Sequence, residues 1–209
     1  MKKILVSMMT IALVSALIGG GVYAAFSDSE TASTNSFAAG TLDLTIEDGN
    51  VNYNMFSVSE AAPGDSGNGS ATLENIGNVE GNLSVSTGVV TNAESTGSTE
   101  YEADGAPGEL GAELDIAIWL DVNDSGGAYE AGTDVGLKSD GTTYSTGALQ
   151  YDALDEYASE DWLDCYTNMG EDDVLEFHVE WQIENTVGNT IQGDSASVGF
   201  TFILDQPIV

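Results

Sequence analysis

The densest run of metal-ligating side chains in this sequence is Asp121-Val122-Asn123-Asp124-Ser125-Gly126-Gly127-Ala128-Tyr129-Glu130-Ala131-Gly132-Thr133-Asp134. Oxygen-bearing side chains at alternate positions, with glycine for the sharp turn, suit a hard cation such as calcium. The candidate ligands are Asp121, Asn123, Ser125, Glu130 and Asp134, and calcium is the cofactor they would take. The run departs from the EF-hand rule: its twelfth position is Gly132, where a closing Glu belongs, and Glu130 comes two residues early. The plainer reading is a solvated acidic turn.

His178 is the sole histidine. It lies in Glu176-Phe177-His178-Val179-Glu180, in the polar phase of a strand pattern, where an exposed histidine is expected. With two carboxylates it has, in principle, the makings of a metal site. Zinc hydrolases bring several histidines, typically as His-Glu-x-x-His on a helix, and no such run is present. There is no Gly-x-Ser-x-Gly elbow for a nucleophilic serine. Carboxylate pairs are too common in so acidic a chain to point to glycosidase chemistry. No catalytic residue is therefore assigned. Cys165 is alone, which excludes an intramolecular disulfide and predicts a small buried apolar residue, with an intermolecular bridge as the alternative. Trp119, Trp162 and Trp181 read as core or rim packing before carbohydrate platforms. Asn68, Asn82 and Asn123 open glycosylation sequons, and at Asn123 a glycan and calcium would compete.

The elements that must position these groups are strands. Leu42, Leu44 and Ile46 alternate with polar residues, as do Val51, Tyr53 and Met55; Ala71–Ile76, and Leu83, Val85 and Val89, continue the pattern. Leu114, Ile116, Ile118 and Leu120 give a strong strand, Leu175 to Ile183 the clearest, and Val198, Phe200, Phe202 and Leu204 the last. Asp48-Gly49-Asn50 and Ala62-Pro63-Gly64-Asp65 are turn signals. Residues 91–109 lose periodicity and read as a loop. Leu149 to Cys165 carries the one helix-like spacing. Many short strands between Gly, Asn, Asp and Pro turns predict an all-β fold, an antiparallel jelly roll or β-sandwich with long loops and at most short helices.

Met1-Lys2-Lys3, an apolar run from Ile4 to Ile18, three glycines and Val22-Tyr23-Ala24-Ala25 have the layout of a secretory signal, with cleavage expected after Ala24 or Ala25. The apolar stretch is also about long enough to be an uncleaved anchor, but the glycines weaken that helix. The chain is expected outside the cell or at its surface, with membrane contact only through this segment before cleavage. Removal of Lys2 and Lys3 leaves Lys138 as the sole base against all 35 acidic residues. Nucleic acid and anionic lipid are excluded as partners, because both need clustered Lys or Arg. Cations are the natural partners, and salt relieves the self-repulsion.

Ala25-Phe26-Ser27-Asp28-Ser29-Glu30-Thr31, followed by a Ser/Thr/Asn spacer and Phe37-Ala38-Ala39-Gly40-Thr41-Leu42-Asp43-Leu44, resembles the opening of the TasA/camelysin family. Pro63-Gly64-Asp65, Asn75-Ile76-Gly77-Asn78 and Gln192-Gly193-Asp194-Ser195 with Val198, Phe200 and Phe202 are similar to three further blocks of that family, in order. The resemblance implies a jelly-roll domain and a SipW-type signal peptidase that removes the leader. It also implies a fibre subunit of biofilm matrices whose partners are copies of itself. The assembly segment would be residues 26–36, with Phe26, Ser27, Asp28 and the following Phe37, donated as a strand to the next subunit. Some camelysins are described as metalloproteases; the missing ligand set argues against that activity here. The expected organisation is a signal peptide (1–25), a donor segment (26–36) and a jelly-roll domain (37–209) with an insertion around 91–172.

Overall fold

The alternating segments become strands because β-branched and aromatic residues in one phase can bury a whole face of a pleated sheet. A computed structural model of the chain describes residues 42, 44–46, 52–94, 108–123, 127–191 and 193–206. All belong to the unit Gly40–Val209. The leader with Ala24 and Ala25, the segment 26–36 with Phe26, Ser27 and Asp28, Phe37, and Ser125 of the acidic loop lie outside the described residues.

The strands are β1 (Leu44–Ile46), β2 (Asn52–Ser59), β3 (Ser66–Asn75), β4 (Gly81–Thr87), β5 (Thr91–Ala93), β6 (Leu114–Asp121), β7 (Val135–Leu137), β8 (Thr143–Tyr144), β9 (Asp152–Ala153), β10 (Asp161–Met169), β11 (Val174–Ile183) and β12 (Ser195–Asp205). A single helical turn, α1 (Leu110–Glu113), and 3-10 turns at Leu154–Tyr157 and Asn189–Ile191 complete the described elements. One sheet runs β1-β3-β11-β6-β7-β8, with β9 also on β6; the other runs β10-β4-β12-β2, with β5 also on β12. Every pairing is antiparallel. The fold is the all-β antiparallel sandwich expected from the sequence. The stretch 91–172, read from the sequence as an insertion, supplies the interior strand β6 and the edge strand β10.

The core lies between the sheets. Leu73, Leu114, Ile116, Ile118, Leu120, Leu175, Phe177 and Val179 face Leu83, Val85, Val198, Phe200 and Phe202, all buried. Phe177 is the centre: its ring meets Phe200 and Phe202 at 4.9 Å each, edge to face. That geometry sets the positive ring edge against a negative face. Trp162 is buried in the same core and donates its indole N–H to the Lys138 carbonyl at 2.8 Å. Cys165 is buried as expected, its thiol 3.2 Å from the Leu83 carbonyl.

Two turns named by the sequence have clear physical causes. In Ala62-Pro63-Gly64-Asp65, the Asp65 carboxylate accepts the Ala62 N–H at 2.8 Å, and the Asp65 N–H donates to the Ala62 carbonyl at 3.0 Å. Gly64 takes φ +90°, which a side chain would strain. At the end of β3, Asn75 is fully buried. Its Nδ2 donates to the Val79 and Met169 carbonyls at 3.0 and 2.9 Å, and its Oδ1 accepts the Gly77 N–H at 3.0 Å. One side chain thus fastens the exit of β3 to the end of β10.

The helix-like stretch from Leu149 to Cys165 is a correction. It holds β9, one 3-10 turn and the start of β10. Strand β10 is bulged twice, between Trp162 and Tyr166 and between Tyr166 and Met169, with Asp164 and Asn168 at positive φ. The extra residues change the spacing of the buried side chains to Trp162, Cys165, Met169, steps of three and four, which imitates a helix.

Candidate functional site

The face of the first sheet that points away from the core carries the polar phase of β6 and β11: Asp115, Ala117, Trp119 and Asp121 beside Gln182, Glu180, His178 and Glu176. Their register places Glu176 opposite Asp121, His178 opposite Trp119 and Glu180 opposite Ala117. The segment between β6 and β10 folds over this face. Tyr129 stands edge-on to Trp119 at 6.4 Å and tilts against Tyr144 at 5.7 Å. Tyr144 lies on Gly136, where a Cβ would come within 2.2 Å of the ring, and the Lys138 ammonium sits 5.7 Å from its centroid. Tyr151 donates to the Glu180 carboxylate at 2.7 Å; burial, then that carboxylate, push its hydroxyl far above the usual phenol range. Trp119 and Ala117 end up fully buried, so the outer face of this sheet has a cover of its own.

Under that cover lies a mixed ligand cluster. One ligand atom each of Asp121, Glu176 and His178 lies within 4.8 Å of the other two. His178 Nε2 is 3.1 Å from Glu176 Oε2. His178 is 5% and Asp121 1% exposed, whereas the Glu176 side chain keeps 34% of its surface, so the cluster opens on one side. The imidazole stacks on Trp119 at 5.0 Å and 12°. Gly127, at φ +83°, crosses the imidazole edge where a Cβ would stand 3.2 Å from Cε1. A cleft lined by Ser66, Gly67, Asn68, Trp119, Gly127 and Glu180 lies alongside. The Trp119 indole nitrogen is buried with no acceptor among the described residues. The exposed histidine expected from the strand phase is therefore corrected: His178 is buried, because the loop after β6 covers the polar phase.

The acidic loop is brought together in part. Asp121 Oδ1 accepts the Asn123 N–H at 3.1 Å, and Asn123 Nδ2 donates to Glu130 Oε2 at 3.3 Å. Asp134 is fully buried, and its two oxygens accept the N–H groups of Glu130 at 2.7 Å and Val122 at 3.4 Å. Burial raises the Asp134 carboxyl above its ordinary value, against those two hydrogen bonds, with Asp121 and Glu130 adding to the rise. Asp134 thus ties the loop's base. Asp121 faces across the sheet to Glu176 and His178, a grouping set by strand register that no local motif announces. The usable signal was the row of aromatics, Tyr129, Tyr144 and Tyr151, in an otherwise Gly-, Ser- and Asp-rich stretch.

A second cluster joins Glu94, Glu109 and Asp194, with one carboxylate oxygen of each within 4.8 Å of the others. Asp194 is fully buried and accepts the Glu109 N–H at 2.8 Å. Of the tryptophans, Trp119 and Trp162 are buried and Trp181 is partly so, packed over Gly67, where a Cβ would come within 2.7 Å of its indole.

A family model described as camelysin metallo-endopeptidase matches residues 1–207. No curated protein matches the chain. A solved structure similar to it is described as TmCBM61 in complex with beta-1,4-galactotriose; it is 10% identical, the likeness covers 78% of this chain and 88% of that chain, and the TM-score is 0.25.

Proposed function

We propose, from the premise that this chain belongs to the camelysin metallo-endopeptidase family, that it works as an exported structural subunit polymerising into extracellular or cell-surface fibres by donation of its N-terminal segment. The observation that carries the reading is the edge of β3. Strand β11 pairs with β3 from Ser66 to Glu74, but on the other side β1 covers only Leu73 to Asn75. From Ser66 to Thr72 that edge has no strand partner among the described residues, and an open edge is a template for a further strand. Its inward positions Gly67, Gly69 and Ala71 are small, and the Trp181 indole packs over Gly67. One edge of the other sheet, the doubly bulged β10, is a poor template.

Residues 26–36 supply a polar, β-competent segment of suitable length, freed at one end once the leader is cut. Each backbone hydrogen bond gained contributes about 0.5–1.5 kcal/mol net. Burying Phe26 or Phe37 would contribute about 1.5–3 kcal/mol each. Ordering the segment and bringing together acidic subunits oppose this, so fibres should form more readily as salt or calcium rises.

The family's description names a metal-dependent peptidase. Asp121, Glu176 and His178, one imidazole and two carboxylates, are a donor set that fits a divalent ion, which when bound supplies Lewis-acid polarisation. With a single histidine the chain lacks the several imidazole ligands that zinc hydrolases bring, and we assign it no peptidase role. Negative-stain microscopy of the mature chain tests the proposal. Protein from Phe26 onward should form filaments. The same chain without residues 26–36 should fold, by circular dichroism, yet stay monomeric, and the free peptide 26–36 should bind it without restoring filaments. Filaments from the truncated chain would remove strand donation. A stable monomer from the full mature chain under all salts would favour a surface adhesin, and chelator-sensitive casein cleavage a peptidase.

A further inference from the structure

We propose that Asp121, Glu176 and His178 form a binding site for a divalent transition-metal ion of the zinc class. Strand β6 ends in Asp121 opposite Glu176, and His178 follows two residues along the same face of β11. Three ligand atoms therefore converge within 4.8 Å from two adjacent, hydrogen-bonded strands. An imidazole nitrogen with two carboxylates selects ions of the zinc, nickel or copper type over calcium, which takes oxygen ligands alone. The Glu176–His178 contact at 3.1 Å is one that a metal bound between the two would replace.

The surroundings fit a ligand. Trp119 fixes the imidazole plane by stacking on it at 5.0 Å, and Gly127 brings no side chain of its own to the ring edge, where a Cβ would stand 3.2 Å from Cε1. The buried indole N–H of Trp119 lacks an acceptor among the described residues, and the cleft that Trp119 and Gly127 line is the place from which a metal-borne water would supply one. The partial exposure of Glu176 gives the ion its route in. The proposal is independent of strand donation and of any peptidase activity.

Because the chain has a single histidine, its imidazole nitrogens can be followed by NMR without assignment. The test uses the folded mature chain in high salt, titrated separately with Zn2+ and Ca2+ at matched ionic strength. Zn2+ should move an imidazole nitrogen resonance, raise the melting temperature and saturate at one equivalent for that resonance. Ca2+ should leave the resonance in place. Ni2+ should quench tryptophan fluorescence in the wild type and at least tenfold less effectively in Glu176→Gln, a change at a half-exposed position that spares the fold. His178→Gln should lose the zinc-specific rise in melting temperature while keeping any response to Ca2+. An imidazole resonance indifferent to Zn2+, or moved equally by Ca2+, overturns the proposal, as does an unchanged nickel quench in Glu176→Gln.

Discussion

Replacing Asn75 by alanine should destabilise the fold by roughly 3 kcal/mol, a magnitude that follows from what the side chain leaves behind. It makes three hydrogen bonds, to the Val79 carbonyl, the Met169 carbonyl and the Gly77 N–H. The bonds to Met169 and Gly77 are buried, and the one to Val79 is partly so. A buried polar group stripped of its partner costs about 1–3 kcal/mol, and one that water can reach costs little. Two stranded groups at the middle of that range, reduced by local relaxation, give the figure above. Asn75→Asp should be worse at neutral pH, since a carboxylate would face two carbonyls where Nδ2 now donates. Chemical denaturation in high salt, followed by tryptophan fluorescence, measures the loss at constant slope. Against a typical total of 5–15 kcal/mol, the midpoint shift should be large. A loss below 1 kcal/mol in Asn75→Ala would refute the idea that this side chain fastens β3 to β10.

Three further outcomes are expected. Burial, then Glu184 and Asp152, raises the Asp115 carboxyl, and burial raises that of Asp134. The native state therefore keeps protons that the unfolded chain has lost, and stability falls as pH rises through the interval between the ordinary value near 3.8 and the raised native values. Melting temperature should accordingly be higher at mildly acidic pH than at pH 8, and a flat or opposite profile would contradict the assignment. Calcium should raise the melting temperature more than sodium at matched ionic strength, because specific binding adds to screening, and Asp121→Ala with Asn123→Ala should erase the difference; identical curves for the two salts in the wild type would exclude the acidic loop as a site. Burial pushes the Cys165 thiol up to about 12, so a thiol reagent at pH 8 should label the native chain at least tenfold more slowly than the unfolded one, and labelling at equal rates would show that it is not enclosed.

Legibility in the sequence followed regularity. Strands β6, β11 and β12, and β3 from Ala71 onward, stand where apolar and polar side chains alternate without interruption, because an unbulged strand with one face on the core writes its own period. Strand β10 did not, since three extra residues at its two bulges turn its buried set into Trp162, Cys165 and Met169. Glu176 and His178 were placed correctly in phase, yet phase says only which face a side chain takes. Whether that face meets water depends on a covering segment whose tyrosines lie 25 to 49 residues away in the chain. The convergence of Asp121 with Glu176 and His178 was equally hidden: it depends on β6 and β11 being neighbours with one particular register.

The order of strands has a kinetic consequence. Strand β11 is the interior member of one sheet, between β3 and β6, and β12 of the other, between β4 and β2. Both come from the last part of the chain, after Asp173. Leu73 must wait for Leu175, and Val85 for Phe202, before either pairing exists. A ribosome releasing this chain from its N-terminus therefore emits β1 with β3, β4 with β10 and β6 with β7 to β9 as separate groups that lack the strands joining them, and such distant pairings close slowly in any case. Both sheets stay incomplete until the final strands appear, and a chain that stops short of β12 lacks the strand on which β2, β4 and β5 assemble.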